Sequence, residues 1–419
     1  MLNIWKKPAT RWIVVGLLVV IAFILSVREG MSEDTHGDFY IFWSAGLNFW
    51  QGNALYSRVG GAEEFLYPPF APMIFQVLAL LPFQISAVCF TFLNFGLWFL
   101  SFRTVGKILR HYFPDTNFKS TLWFTFFVTI RFFWHNIIWV NINEITLTLS
   151  LFGILFYLRG KETAAILCFS AGAWLKVMPG FMLLLIALKG NFKTWVKIFL
   201  VSLSVPVMII VQRGVGQGIQ DFYDFFGVVL QPFLEGKVYT DWISFSISSM
   251  VFKLLTAHPD VDGVRYYIAD LPFSTARLIS ITLQLVVFAV ILGRILRNRF
   301  VRKQTQISLV EWIQVMLGML LLAGVSWEGH HVRMVLEYPA IFLILAHQQK
   351  FTLRKVTMGL CLVVGFMTLD VLGTRFYDMA QGFSVITFLM LYLLVVSTLC
   401  HDVFPSQRMQ VEPELEKQD

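Results

Sequence analysis

Charge is scarce in this chain. Asp, Glu, Lys and Arg make up 14% of its residues, against 57% hydrophobic. That excludes an ordinary soluble domain, about a quarter of which is charged. Cysteine is scarce as well: Cys89, Cys168, Cys361 and Cys400 lie in or at the ends of apolar runs, with no CxxC and no histidine at ligand spacing. Neither a disulfide framework nor a zinc site is therefore indicated. The sequence also lacks GxxxxGK[ST], HExxH and GxSxG, which removes the support for P-loop, zincin and hydrolase chemistry. A "GVGQG" at Gly214–Gly218 looks like a phosphate loop, but it follows an apolar run and not a strand.

Long apolar runs carrying 42 Phe and 13 Trp are what the chain has instead, and they predict an all-α polytopic membrane protein. The first run, Arg11–Arg28, follows the basic "WKKPATR" and has no small-residue cleavage site, so it reads as a true span. The net charge of +7 falls mostly in short connectors, which is a topology signal and not a nucleic-acid stripe.

With the basic connectors inside, residues 29–67 lie outside, and Asp38 with them. Pro68–Leu81, interrupted by prolines, is too short to span and predicts a half-buried outer helix; residues 29–82 thus form a first outer loop. Crossings follow at 85–102, 120–134 and 143–158. The stretch 163–188 is broken at "KVMPG" into two short segments that meet at the outer face. Next come 195–211, a long outer loop at 212–270, and 271–296, which ends at the strongly basic "RNRFVRK". Crossings at 307–327, 336–346, 356–372 and 383–400 complete a single domain, 1–419, of about twelve crossings.

Ionisable residues near a bilayer need a reason. On this topology Asp38, Arg131, His135, Glu144, Lys176, His330, His331 and Arg333 gather on the outer side. Arg131, Lys176 and Arg333 run against the positive-inside trend, which suits them to hold an anion such as a lipid phosphate. Each has a plainer reading. Asp38 would serve equally as a helix N-cap, Lys176 as a snorkelling lysine, Tyr67 as an interfacial aromatic, and Glu144 as a partner for helix ends.

"GDFYIFWSAGLNFWQGNALY" followed by "FLYPPFAPMIFQVLALLPF" resembles the start of glycosyltransferase family 87, whose members have the GT-C fold and use polyprenyl-phosphate sugars. "LKVMPG" is similar to the family's Lys-x-x-Pro break. "VNINEITLTL" is similar to its Gly-Gln-x-Asn helix, with Val140 and Asn141 replacing Gly and Gln and Asn143 matching. "SWEGHHVRMVLEYP" resembles its Trp-x-His-His segment with one extra residue, and "WISFSISSMVFKLL" is a degraded match to a polar stretch, with Ser244 and Phe245 at the polar pair.

The resemblance implies a GT-C-type bundle with extracytoplasmic loops and short outer helices. It implies an inverting transfer of a mannose-like hexose or a pentose from a polyprenyl phosphate to an envelope lipid or glycan. Asp38 would be the general base, His331 or His330 would assist it, and Lys176 would hold the donor phosphate. Arg131, Arg333, Tyr67, Asn143 and Glu144 would line the substrate site. No metal or cofactor and no nucleic-acid partner is expected. The place would be a bacterial inner membrane, with the site facing the periplasm or cell exterior. The alternative class is a transporter or flippase of a lipid-linked sugar, since broken helices and buried charge also mark transporters.

Overall fold

The structure is a computed structural model that describes residues 8–32, 38–56, 65–236, 238, 243–258 and 265–406; His36, Gly37, Trp242 and the polar tail beyond Ser406 lie outside them. Among the described residues there are helices and no strands. The first helices are α1 (Pro8–Gly30), α2 (Asp38–Gln51), α3 (Phe70–Ala79), α4 (Phe83–Tyr112), α5 (Lys119–Ile138) and α6 (Asn143–Leu158). The segment broken at "KVMPG" gives α7 (Glu162–Leu175) and α8 (Gly180–Lys189), and α9 (Phe192–Arg213) follows. The long stretch after it holds α10 (Val215–Phe225), α11 (Gln231–Leu234) and α12 (Ile247–Leu255). Then come α13 (Phe273–Leu296), ending in a π turn over Arg297–Val301, and α14 (Leu309–Leu321). A 3₁₀ turn, Glu328–Arg333, leads into α15 (Met334–His347), and α16 (Phe351–Phe366), α17 (Leu369–Gly382) and α18 (Val385–Thr398) end the fold.

Burial sorts these helices. Every residue of α14 is buried, as is α15 from Met334 to Leu345. Helices apolar on all sides belong in the middle of a bundle. By contrast, the most apolar windows of α9 and α13 are only 17% and 22% buried, and they present Phe199, Leu200, Leu285 and Val286 outward. Surface that apolar and that exposed suits lipid and not water. Among the described residues three helices are long and apolar enough to cross a membrane, Phe83–Tyr112, Phe192–Arg213 and Phe273–Val301, and the bent pair α16–α17 makes up to four. Six shorter apolar helices accompany them among the described residues.

Three boundaries differ from the sequence expectation. The crossing expected to end at Phe102 continues to Tyr112, giving a helix of 30 residues, about 45 Å long. Its basic end has no breaker before Pro114, and Val105, Ile108, Leu109 and Tyr112 are buried at helical spacing. The crossing expected at 356–372 stops at Phe366, where α16 and α17 meet at a 95° bend. The crossing expected at 307–327 is helical only to Leu321; the rest unwinds toward the site described below.

Two apolar clusters hold the molecule together. The main one runs through α4 to α8, α12 to α16 and α18. The second is a cap: Phe39, Phe42 and Phe49 of α2 and Phe70, Met73 and Phe75 of α3 pack with Phe90, Val140, Ile142, Leu175 and Ile209. The close approach of α2 to α3 depends on Gly46, where a Cβ would stand 2.7 Å from the Phe75 carbonyl carbon. "GVGQG" forms no phosphate cradle here. Gly214, at φ 81°, caps α10, and Arg213 beside it pairs with Asp221 at 2.8 Å.

Candidate active site

α5 ends in a turn that organises the site. Val140 has φ +46°, and the Asn141 amide N–H returns to the Asn136 carbonyl at 3.0 Å. This is the Schellman way of closing a helix, with a left-handed residue where glycine is usual. Here the residue is a buried, β-branched valine. A β-branched side chain in that region stores strain on the order of 1–2 kcal/mol. The turn is held by Asn94, whose amide donates to the Asn141 carbonyl at 3.0 Å. It aims the Asn141 side chain at Asp38, donating from Nδ2 to Oδ2 at 2.5 Å. Asp38 is half-buried in the first turn of α2, where the helix dipole favours a negative charge.

A second group lies beyond the turn. Asn143 Oδ1 accepts a hydrogen bond from Lys176 Nζ at 2.8 Å, and Asn143 Nδ2 donates to Asn136 Oδ1 at 2.7 Å. Asn136 Nδ2 donates in turn to Glu144 Oε1 at 3.0 Å and to the Gly329 carbonyl at 2.8 Å. Gly329 is required for this approach, because a Cβ there would fall 2.2 Å from Asn136 Oδ1. The contact fixes the next residue, and His330 Nε2 lies 2.7 Å from Lys176 Nζ. His330 Nδ1 accepts from the Trp327 amide N–H at 3.2 Å, so the proton of a neutral ring sits on Nε2 and points at the lysine. A lysine that accepts this proton must be an uncharged amine.

The electrostatics bring the uncharged amine within reach near neutral pH. Lys176 sits in the unwound break between α7 and α8, where burial and then the nearby Arg333 charge lower its pKa to about 7, while Asp38 and Glu144 act in the opposite sense. Burial, then Lys176 and Arg333, hold His330 well below the ordinary histidine range. The face of Tyr67 lies 5.7 Å from Lys176 Nζ, and its ring packs on Phe42. Tyr56 steadies this "YPP" strand by donating to the Tyr67 carbonyl at 2.7 Å.

The structure thus places Lys176, His330, Asn143, Glu144 and Tyr67 around one centre, with Asp38 close enough for its charge to act on the lysine. His331 is elsewhere. Its Nδ1 faces the Trp327 and Glu328 carbonyls at 3.0 and 3.2 Å, and its ring packs against Phe132 and Phe245. Burial lowers its pKa to about 4, and those carbonyls resist the shift. Adjacent residues of a turn face different ways, and it is His330 that meets the lysine.

Arg131 is not brought to the centre either. It donates to Glu328 Oε1 at 2.8 Å and to the Val364 and Met367 carbonyls at 2.6 and 2.7 Å. With its donors so engaged, it caps the end of α16 at the bend. Glu328 also accepts from Tyr377 at 2.7 Å and Gln381 at 3.1 Å. Burial alone would raise the Glu328 pKa, but Arg131, His135 and the Tyr377 hydroxyl hold it low. Arg333 is buried and, among the described residues, donates only to Thr146, at 3.4 Å, yet its charge acts on both Lys176 and His330.

Sequence reading missed Asn136 and the role of Asn141. The available signal was the amide density of "HNIIWVNINE", three asparagines within eight residues of an apolar stretch. Buried amides need partners, so such density foretells a polar network.

By class, this is an all-helical membrane protein with a partly buried polar site at one end of its bundle, formed by a carboxylate, a lysine of lowered basicity and an amide net. Residues 65–260 match the sequence profile of glycosyltransferase family 87, the family whose motifs the chain resembles, and this indicates a membrane glycosyltransferase. No curated protein and no solved structure gives a significant match. The matched segment contains Tyr67, Asn141, Asn143, Glu144 and Lys176. Asp38 and His330 lie outside it, and the fold carries them to the matched residues.

Proposed function

We propose that the protein is an inverting glycosyltransferase that moves a mannose-like hexose or a pentose from a polyprenyl-phosphate donor to a hydroxyl of an envelope lipid or glycan. The bundle is then of the GT-C type, its shorter apolar helices completing about twelve crossings. It sits in a bacterial inner membrane with the site on the periplasmic or outer side. The single observation that carries the reading is the pairing of a half-buried, hydrogen-bonded Asp38 with Lys176 in one polar centre.

The acceptor oxygen attacks the anomeric carbon as the carbon–oxygen bond to the donor phosphate breaks, and the acceptor proton passes to the Asp38 carboxylate. The phosphate leaves with the bonding electron pair. Lys176 and Arg333 stabilise it there, so no general acid is needed. In the empty site His330 donates to an uncharged Lys176 amine. An arriving phosphate draws a proton onto that amine, because an anion favours the charged form. Asn143 and His330 hold the lysine in place, and Asn136 and Glu144 support them from behind.

The test is transfer of radiolabelled sugar from polyprenyl-phosphate hexoses and pentoses to an envelope lipid extract by protein in lipid nanodiscs. Transfer by the wild type, lost in Asp38→Asn with donor binding retained, supports the reading. No transfer from any donor, with movement of the lipid-linked sugar between leaflets, overturns it.

A further inference from the structure

The basic motif "RNRFVRK" plays no part in the site just described. It lies at the opposite end of the bundle. α8 begins beside Lys176 and ends at Lys189, whose Nζ is 2.6 Å from Glu311 in the first turn of α14, and Asn298 of the motif donates to the same carboxylate at 3.1 Å. At this end a cavity of about 610 Å³ opens between the end of α13, its π turn and the end of α18. Arg294, Arg297, Arg302 and His401 line it, and Asp402 is the one carboxylate among its lining residues. Its volume is that of roughly twenty waters, within the range of sites that hold small ligands.

Two of the arginines have work within the protein. Arg294 donates to Asp402 at 3.0 Å and to the Thr398 carbonyl at 2.8 Å, and Arg302 donates to the other Asp402 oxygen at 2.7 Å. Together they strap the stretch after α18 against the π turn. Arg297 does not share in this. It is exposed, stands one helical turn from Arg294, and has no hydrogen bond or ion pair among the described residues. Three guanidinium groups therefore face one carboxylate, and one of the three is uncommitted.

The approach to the cavity is apolar. Val290 and Leu399 on its wall are 37% and 60% exposed, and the surface continues along α13 through Val286 and along α18 through Val395, each more than half exposed. A free anion has no use for that surface, and a soluble partner would not seek it. A molecule with an anionic head and acyl chains matches both parts. We propose that the cavity binds the phosphate headgroup of an anionic membrane lipid, with Arg297 donating to the phosphate and the acyl chains lying along the α13–α18 face.

Delipidated protein in detergent would be titrated with phosphatidylglycerol, phosphatidylcholine and glycerol 3-phosphate and followed by native mass spectrometry. The wild type should retain phosphatidylglycerol in preference to phosphatidylcholine. Arg297→Ala should weaken that retention about tenfold, the effect of one lost charge-assisted hydrogen bond, and Arg297→Lys should keep most of it. Because Arg297 has no partner among the described residues, both variants should melt with the wild type, which circular dichroism would check. Equal retention by Arg297→Ala overturns the proposal, and so does glycerol 3-phosphate binding as tightly as phosphatidylglycerol, since the acyl groove would then contribute nothing.

Discussion

Asn141 donates to Asp38 at 2.5 Å across 103 residues of sequence, so the residue proposed as the base is aimed by the turn that ends another helix. The bond goes to one carboxylate oxygen. If Asp38 is the base, removing its ability to take a proton should slow transfer by about 10²–10⁴-fold. Asp38→Asn keeps the shape of the side chain, so donor binding should persist, and equilibrium binding of labelled donor measured beside turnover separates the two effects.

On the proposed mechanism Asn141 acts through Asp38, to which its amide donates. Asn141→Ala should lower turnover roughly tenfold to a hundredfold, the loss of a hydrogen bond to a charged group. It should also move the acidic limb of the pH–rate profile upward, because the hydrogen bond favours ionised Asp38. Asn141→Gln retains an amide and should restore much of the rate and the original limb. A profile unchanged in Asn141→Ala would reduce Asn141 to a structural residue.

If Lys176 holds the donor phosphate as proposed, its pKa, lowered to about 7, makes donor binding depend on pH. The charged form binds the anion. Affinity should therefore be greatest below pH 7 and fall, by up to about tenfold per unit, as pH rises above it. Lys176→Arg stays charged throughout, so its binding curve should flatten even where the longer, planar guanidinium costs turnover. Donor titrations between pH 6 and 9 would show this.

Arg131 should behave as a brace. Arg131→Ala leaves Glu328 buried without its cation, which typically costs about 3–5 kcal/mol, and it frees two carbonyls at the α16–α17 bend. The expected result is a lowered melting temperature with an unchanged KM for donor in the protein that remains folded. A raised KM at unchanged stability would return Arg131 to the substrate.

Val140 offers a stability comparison. Val140→Gly and Val128→Gly both remove a fully buried valine. The first also relieves a left-handed backbone, about 1–2 kcal/mol, whereas the second adds the helix penalty of glycine, about 1 kcal/mol. Val140→Gly should therefore be the less damaging by about 2–3 kcal/mol, readable as the gap between the two melting temperatures.

These sites show what a sequence displays and what it hides. The break at Lys176 was legible because lysine before "VMPG" in an apolar run has few explanations, and α6 was legible to the residue because its apolar run is bounded by Asn143–Glu144 at one end and the basic "RGKE" at the other. The course of α4 beyond Phe102 was not, since basic residues mark a loop and a buried helix end equally well. Arg131 and Lys176 looked alike as misplaced cations. Only the tertiary partners, a carboxylate and two carbonyls for one and an amide and a histidine for the other, tell them apart. The extra residue before His330 left the histidine register open, and it was the contact between Gly329 and Asn136 that fixed it.

The division of the apolar interior has its own consequence. Asp38 is carried by the cap cluster of α2 and α3, whereas His330 and Asn136 belong to elements of the main cluster. The polar centre therefore lies where the two apolar clusters meet, along α4 and α7, which contribute side chains to both. A void cut into either interior would shift one half of the site against the other, so the alignment of Asp38 with His330 depends on packing far from either residue.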